Sequence, residues 1–269
     1  MSDDFFATDT HSTGRPDGSG IRDLTITDRW NTPLQKPNGG YILAVMLRGL
    51  AEEVSAGGGS DEPMVASITY FKASVPGPAE LHASVMRAGR RVQTGEAMLM
   101  QGDAKIAHLV ASFGHKEGGH TQELGTPPAL PDPDDCVDAW GDDGKPAMSI
   151  AERMDYRLAA VPGWVTGKPS GDPTAEVWIR LAGGRDADVF ASALLVDAFP
   201  PPIFELGHAG SLTIQLTVHF HGTPAPGWIA SRITTRHVNN GYNDEDCELW
   251  DSTGRLVAQS RQFAMLVTN

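Results

Sequence analysis

Asp197 stands in the run "SALLVDAFPP", whose other members are almost all apolar. A carboxylate in that company is at least partly buried, and burial raises its pKa unless partners compensate. The run also suggests a helix, and Asp197 falls near its C-terminal end, where the macrodipole disfavours negative charge. A carboxylate placed so unfavourably is a candidate acid or base. A plain carboxylate leaving a helix end and bonding a backbone amide explains it equally well. Gln262, in "GRLVAQSRQF", shares a strand face with Leu256, Ala258, Ser260, Ala264 and Leu266. A glutamine there needs hydrogen-bond partners inside the fold. Taken alone, an edge position or a structural bond accounts for it better than chemistry does. Thr213, in "SLTIQLTVHF", falls by alternation on the polar face with Gln215, Thr217 and His219. Periodicity alone reads it as a solvated strand residue.

Gly39 and Gly40 precede a long apolar segment. Backbone N–H groups at a helix N-terminus can polarise a carbonyl or hold an anion, and glycine permits close approach. Tight packing of helix on sheet fits them as well. Arg87, Arg90 and Arg91, in "VMRAGRRV", form the densest cationic cluster and are candidates for a phosphate-bearing ligand. Arg232, Arg236 and His237 stand at the comparable place later in the chain.

Several chemistries are absent from the pattern. Cys136 and Cys247 are the only cysteines and neither sits in a CxxC or Cys/His cluster, which argues against zinc and against a disulfide scaffold. No GxGxxG, Walker or GxSxG pattern appears in the right context. "HKEGGH" has poor metal spacing. No cofactor or metal is implied. Acidic residues outnumber basic ones 34 to 21, for a net charge of -13, so nucleic acid is a poor partner. No apolar run approaches a membrane span, and the acidic N-terminus does not read as a signal peptide, so a cytoplasmic protein without membrane insertion is expected.

The elements that must position these residues come in two copies. "AKIAHLVASF" (Ala104–Phe113) aligns with "GRLVAQSRQF" (Gly254–Phe263) at an offset of 150, which pairs Ser112 with Gln262. "SITYFKASVPGPAEL" (Ser67–Leu81) resembles "LTVHFHGTPAPGWIA" (Leu216–Ala230) at an offset of 149. Each copy reads as an antiparallel meander. Each is preceded by a segment apolar nearly all round, Pro37–Val54 and Asp186–Pro202, which predicts a buried helix. The boundaries expected are a loose N-terminus over residues 1–20, a first unit over 21–114, a Pro/Gly/Asp-rich linker over 115–146 and a second unit over 147–269.

One long helix inside a wrapped antiparallel sheet, twice in one chain, is an α+β double-hotdog layout. With "PNGGYILAVMLRGL", "LLVDAFPP", "SLTIQLTVHFHG" and "GRLVAQSRQF", the chain resembles the TesB-like acyl-CoA thioesterases. That resemblance implies a water held and activated by an Asp, a Thr and a Gln. They map here to Asp197, to Thr213, seven residues before Phe220, and to Gln262, after "LVAQSR". It implies an acyl-CoA or related thioester as substrate and association into a homodimer or higher oligomer. An apolar acyl lining could come from Met46, Phe199, Phe204 and Trp228. Two other readings stay open. One is an acyl-group binder without activity. The other is a hydratase or dehydratase, which would want a histidine close after the helix aspartate, whereas His208 is distant in sequence.

Overall fold

The computed structural model describes residues 4–116, 118–140 and 149–267. A single 14-stranded antiparallel sheet runs through them. The strands are β1 (Thr13–Gly14), β2 (Ile21–Ile26), β3 (Pro63–Tyr70), β4 (Gly77–Ala88), β5 (Gln93–Gln101), β6 (Ala104–Phe113), β7 (Val137–Asp138), β8 (Met154–Leu158), β9 (Thr174–Leu181), β10 (Ser211–Phe220), β11 (Ile229–Thr234), β12 (Val238–Asn239), β13 (Tyr242–Trp250) and β14 (Leu256–Leu266). Their order is β1-β2-β4-β5-β6-β3-β10-β14-β13-β11-β9-β8-β7, with β12 beside β13. The two units therefore meet where β3 pairs β10, and one core lies inside the joined sheet.

The seam fixes the relation between the copies. Ser67 pairs with Thr217, and their hydroxyls meet at 2.7 Å. Ala66 and Ile68 are buried, as are Leu216, Val218 and Phe220. An offset of 149 would match the half-buried Ser67 to the buried Leu216. An offset of 150 matches Ile68 to Val218 and Pro76 to Pro226, so the strand face corrects the 149 alignment by one residue. Because strand side chains alternate, a one-residue slip exchanges inside for outside.

The two helices differ. α2 (Gly39–Ala56) is capped by Asn38, whose side chain accepts from the Tyr41 N–H, and it ends at Gly57. It buries Tyr41 to Leu47, Leu50 and Val54 against the first meander. Its counterpart α4 (Val189–Leu195) has seven residues rather than the long helix expected over 186–202. Asp188, 150 residues after Asn38, caps it by accepting from the Ala191 N–H. Pro200 would clash with the Val196 carbonyl four residues back, and two further prolines follow, so the helix stops early.

The N-terminus is not loose over its described part. α1 (Phe5–Asp9) buries Phe6 edge-on against Trp30, 5.9 Å between centroids, and Trp30 stacks on Tyr41 at 5.7 Å. Asp9 accepts from Trp30 Nε1 at 2.8 Å. The expected linker also carries structure. β7 pairs β8, Trp178 Nε1 donates to the Pro131 carbonyl, and Trp140 is buried against Tyr156. The linker residues 117 and 141–146 lie outside the described set, as do 147 and 148 of the second unit. α3 (Ser149–Glu152) leads into β8.

Candidate active site

Asp197 sits two residues past the end of α4, where that turn meets the N-terminus of α2. The Gly40 N–H donates to Asp197 Oδ2 at 2.7 Å. Asn38 Nδ2 donates to the same oxygen at 3.1 Å and to the Asp197 carbonyl at 2.8 Å. The carboxylate of the second unit thus occupies the anion position that a helix N-terminus offers in the first. Asp197 keeps a little solvent contact, but dense protein surrounds the rest of it. That burial pushes its pKa up to about 6, against the pull of hydrogen bonds from Gly40, Asn38 and Gln262.

The two glycines are a condition of this contact. A Cβ on Gly40 would lie 2.7 Å from the Leu194 carbonyl oxygen and 2.9 Å from Asp197 Cβ. A Cβ on Gly39 would lie 2.9 Å from Asp197 Oδ2. Tyr70 OH donates to the Gly39 carbonyl at 2.7 Å. The expectation that both N–H groups await a substrate carbonyl is therefore corrected for Gly40, whose N–H is already taken by Asp197.

Thr213 and Gln262 join the same cluster. Thr213 Oγ1 donates to Gln262 Oε1 at 2.8 Å, and the Gln262 side chain lies close enough to Asp197 to help hold its pKa down. Alternation had put Thr213 on the outer face with Gln215. A β-bulge between Thr213 and Gln215 reverses that: Thr213 pairs with the buried Ala264, while Gln215 pairs with the exposed Phe263. A bulge re-aims the side chain next to it, and a strict period of two cannot foresee one. Gln262 itself is 6% exposed, on the inner face as read from the sequence.

Three participants were not singled out from the sequence. Asn38 is both helix cap and Asp197 ligand, and an asparagine just before a glycine pair and an apolar run was the available signal. Tyr70 approaches closely enough that the Asp197 charge adds to burial in raising its pKa well above the usual phenol value. Glu245 is buried on β13 opposite Gln262 and accepts from Gln262 Nε2. Its alternation with the buried Asn243, Cys247 and Leu249 marked it as inward-facing. The flanking Asp244 and Asp246 disguised it as part of an acidic surface.

Arg87, Arg90 and Arg91 are not brought to this cluster. Their hairpin packs at the other end of α2, where Gln93 accepts from the Ser60 N–H at 3.2 Å and a Cβ on Gly59 would touch Val54 and Gln93. An 18-residue helix separates the two places by about 27 Å at 1.5 Å per residue. Related by the offset of 150, the second hairpin lies on the near side, with exposed Arg236 and His237 following the buried Thr235. His237 Nδ1 is 2.9 Å from Asp244, and Arg236 is 3.9 Å from Asp246.

Of the expected lining residues, Met46 is core of α2, and Trp228 carries the Arg180 guanidinium over its ring at 4.1 Å. Phe199, two residues after Asp197, lines a cavity of about 230 Å³ with Leu158, Trp164, Pro200 and Pro202. Phe204 packs on Trp164 behind it. Among the described residues no cluster of His, Cys, Asp or Glu could hold a metal, no histidine bonds Asp197, and both cysteines are free. No helix of the described residues is long and apolar enough to cross a membrane.

Comparison with known proteins bears on both units. The model of an acyl-CoA thioesterase N-terminal domain matches residues 26–114, and that of an acyl-CoA thioesterase C-terminal domain matches 133–266. An uncharacterized protein of Mycobacterium tuberculosis is 28% identical over 264 residues, covering 90% of this chain and 89% of that one. The structure of a candidate thioesterase II from Thermobifida fusca aligns with a TM-score of 0.84 at 26% identity, over 98% of each chain. A hot dog protein of unknown function from Alicyclobacillus acidocaldarius aligns with a TM-score of 0.87 at 20% identity, over 98% of each, which shows the shared fold.

Proposed function

The chain belongs to the acyl-CoA thioesterase family, a double hotdog, and from that premise we propose that it hydrolyses an acyl-CoA by a water activated at Asp197, Thr213 and Gln262. The observation that carries this reading is the Asp197 carboxylate. It is held by Gly40 and Asn38 of one unit and wired through Gln262 to Thr213 of the other.

With a pKa near 6, Asp197 is mostly ionised at neutral pH yet basic enough to take a proton. The free edge of the carboxylate accepts a hydrogen from water, and the Thr213 oxygen fixes that water from the side. The water oxygen attacks the thioester carbon as its proton moves to Asp197. Once Asp197 is neutral its hold on the Gln262 N–H weakens, and that donor turns to the developing oxyanion. The intermediate collapses with cleavage of the C–S bond, and the departing thiolate recovers the proton from Asp197. No metal or second substrate enters this scheme. The Phe199 cavity, walled by aromatic and proline side chains, is our candidate for the acyl compartment, and Arg236 with His237 for the nearest phosphate contact. The family resemblance also leads us to expect a homodimer or higher oligomer, which sedimentation would measure.

The test is thiol release from a panel of short, long and aromatic acyl-CoAs, with wild type beside Asp197→Asn. Hydrolysis of one class, lost by roughly 100-fold or more in the variant, supports the reading. A wild type that binds the panel without cleaving any member contradicts it and favours an acyl-binding role.

A further inference from the structure

Gln262 lies between two carboxyl groups, and only Asp197 has a part in the scheme above. The other is Glu245, 4% exposed, whose Oε1 accepts from Gln262 Nε2. Its Oε2 is buried with no hydrogen-bond partner among the described residues. Two more partnerless buried atoms stand in neighbouring positions: Asn243 Oδ1, two residues back on the same strand face, and Thr235 Oγ1. Thr235 follows Thr234, the partner of Asp246, and so comes beside Glu245. Clustered orphan atoms of this kind in a native interior call for an explanation.

We propose that Glu245 is a positioning residue for the thioester reaction, which in its neutral form fixes the Gln262 amide toward Asp197 and by ionising turns the site off at alkaline pH. This rests on the hydrolase reading given above.

The orphan atoms favour the neutral form. Asn243 Nδ2 donates to the Asp244 carbonyl at 3.2 Å, which leaves Oδ1, a pure acceptor, as the end toward the interior. Oε2 likewise meets no donor among the described residues, so an ionised Glu245 would leave a buried charge unsatisfied. A protonated Oε2 removes that charge from the interior. The charges around it agree. Asp197 approaches from the turn after α4. Asp244 and Asp246 flank Glu245 on its own strand, themselves paired with His237 and Arg261 from the outer side. Cys247 on the inner face and Tyr70 from β3 are held neutral by burial, Gly40 of α2 is engaged with Asp197, and Arg236 leans on Asp246. No cation is among the groups bonded to Glu245 or Asp197 among the described residues. Burial first, then the Asp197 charge, pushes Glu245 up to about 8.

The consequence lies in the amide. With Oε1 held by Thr213 and one N–H by a neutral Glu245, the second N–H is the one left for nearby Asp197. An ionised Glu245 binds its N–H more strongly, since charge-assisted bonds are the stronger kind. It also adds a negative charge one amide away from an oxyanion that needs stabilising. Both effects slow the reaction without touching the substrate.

Two readouts test this. In the first, kcat and KM are followed from about pH 6 to about pH 10 for wild type, Glu245→Gln and Glu245→Ala. Wild-type kcat should fall as pH rises past about 8, and Glu245→Gln, a permanently neutral isostere, should stay active and lose that alkaline fall. Glu245→Ala should lose kcat roughly 10- to 100-fold with KM little changed, as for a freed catalytic amide. An unchanged alkaline fall in Glu245→Gln, or full kcat in Glu245→Ala, overturns the proposal. The second readout needs no turnover: the Gln262 side-chain NH2 resonances, assigned by their loss in Gln262→Glu, followed through the same pH range. They should shift with a midpoint near 8 in wild type and show no transition near 8 in Glu245→Gln, where only the Asp197 step near 6 remains. No shift in wild type overturns the proposal even in an active enzyme. A clear shift in a protein inert to all thioesters keeps the Glu245–Gln262 coupling and removes only the hydrolase reading on which its role was placed.

Discussion

The two units share a frame and differ in what they put on it. At the offset of 150, the helix caps Asn38 and Asp188 correspond, and so do the seam residues Ser67 and Thr217. Where the second unit has Asp197, Thr213, Glu245 and Gln262, the first has Leu47, Pro63, Gly95 and Ser112. Helix length explains how both fillings pack. In the first unit α2 continues past Leu47, and Leu50 Cδ1 comes within 2.9 Å of where a Cβ on Gly95 would stand. In the second, the prolines stop α4 at Leu195, and polar side chains stand where a helix turn would otherwise lie. One unit is filled by a helix and contributes stability and a helix N-terminus. The other gives up helix to make room for chemistry. Functional groups set into a core in this way usually lower stability.

The sharpest way to break this comparison is a matched pair of substitutions. Gln262→Ala should lower kcat/KM about 100-fold, while Ser112→Ala at the equivalent place should leave it within about twofold. Equal losses, read by thiol release, would mean that the first unit has a site of its own. Gly40→Ala comes next. Its Cβ meets the Leu194 carbonyl and Asp197, so the turn must shift: a loss of about tenfold in activity and about 1–3 kcal/mol in denaturant stability is expected. The equivalent position 190 in the second unit holds phenylalanine, whose ring carries the Arg48 guanidinium, so the close approach at Gly40 belongs to the first unit alone.

Asp197→Asn gives a stability contrast with a defined sign. The folded protein holds Asp197 at about 6 against 3.8 for a free group, so its ionisation weakens the fold. That stability is complete below about pH 3.8 and is lost as pH rises through about 6. Removing the charge should make the variant more stable than wild type by about 1–2 kcal/mol at pH 7, reduced for the solvent contact that Asp197 keeps. The gap should close toward pH 4 in thermal melts. The smallest effect concerns the hairpins. Arg236→Ala should raise KM for an acyl-CoA by about two- to fivefold, in keeping with an exposed ion pair. Replacing Arg87, Arg90 and Arg91 together should leave KM nearly unchanged, and the opposite ranking would move the phosphate contact to the far end of α2.

Much of this was legible in the sequence, for physical reasons that also mark where reading stops. Asp197 and Gln262 stood out because a polar group among apolar neighbours must find partners. The duplication was visible because turns and strand lengths repeat. Thr213 came only through the family resemblance, since the bulge that turns it inward leaves no periodic trace. Glu245 was readable from its strand face but hidden between two surface aspartates. The prolines after Asp197 were read as the end of a long helix, whereas a proline acts four residues upstream of itself, which makes the helix short. The structured N-terminus was missed because Phe5 and Phe6 sit in an otherwise polar, acidic stretch, and it is the surrounding Trp30 ring and the guanidinium groups of Arg29, Arg48, Arg153 and Arg185 that give them a place.

The central claim is that one carboxylate at the seam between the units is the base. Its most direct test is the pH dependence of kcat/KM for a cleaved thioester, wild type beside Asp197→Asn. The account expects an acid limb in wild type with a midpoint near 6, and a variant roughly 100-fold or more slower without that limb. A variant that keeps both the rate and the limb would place the base elsewhere and contradict the account.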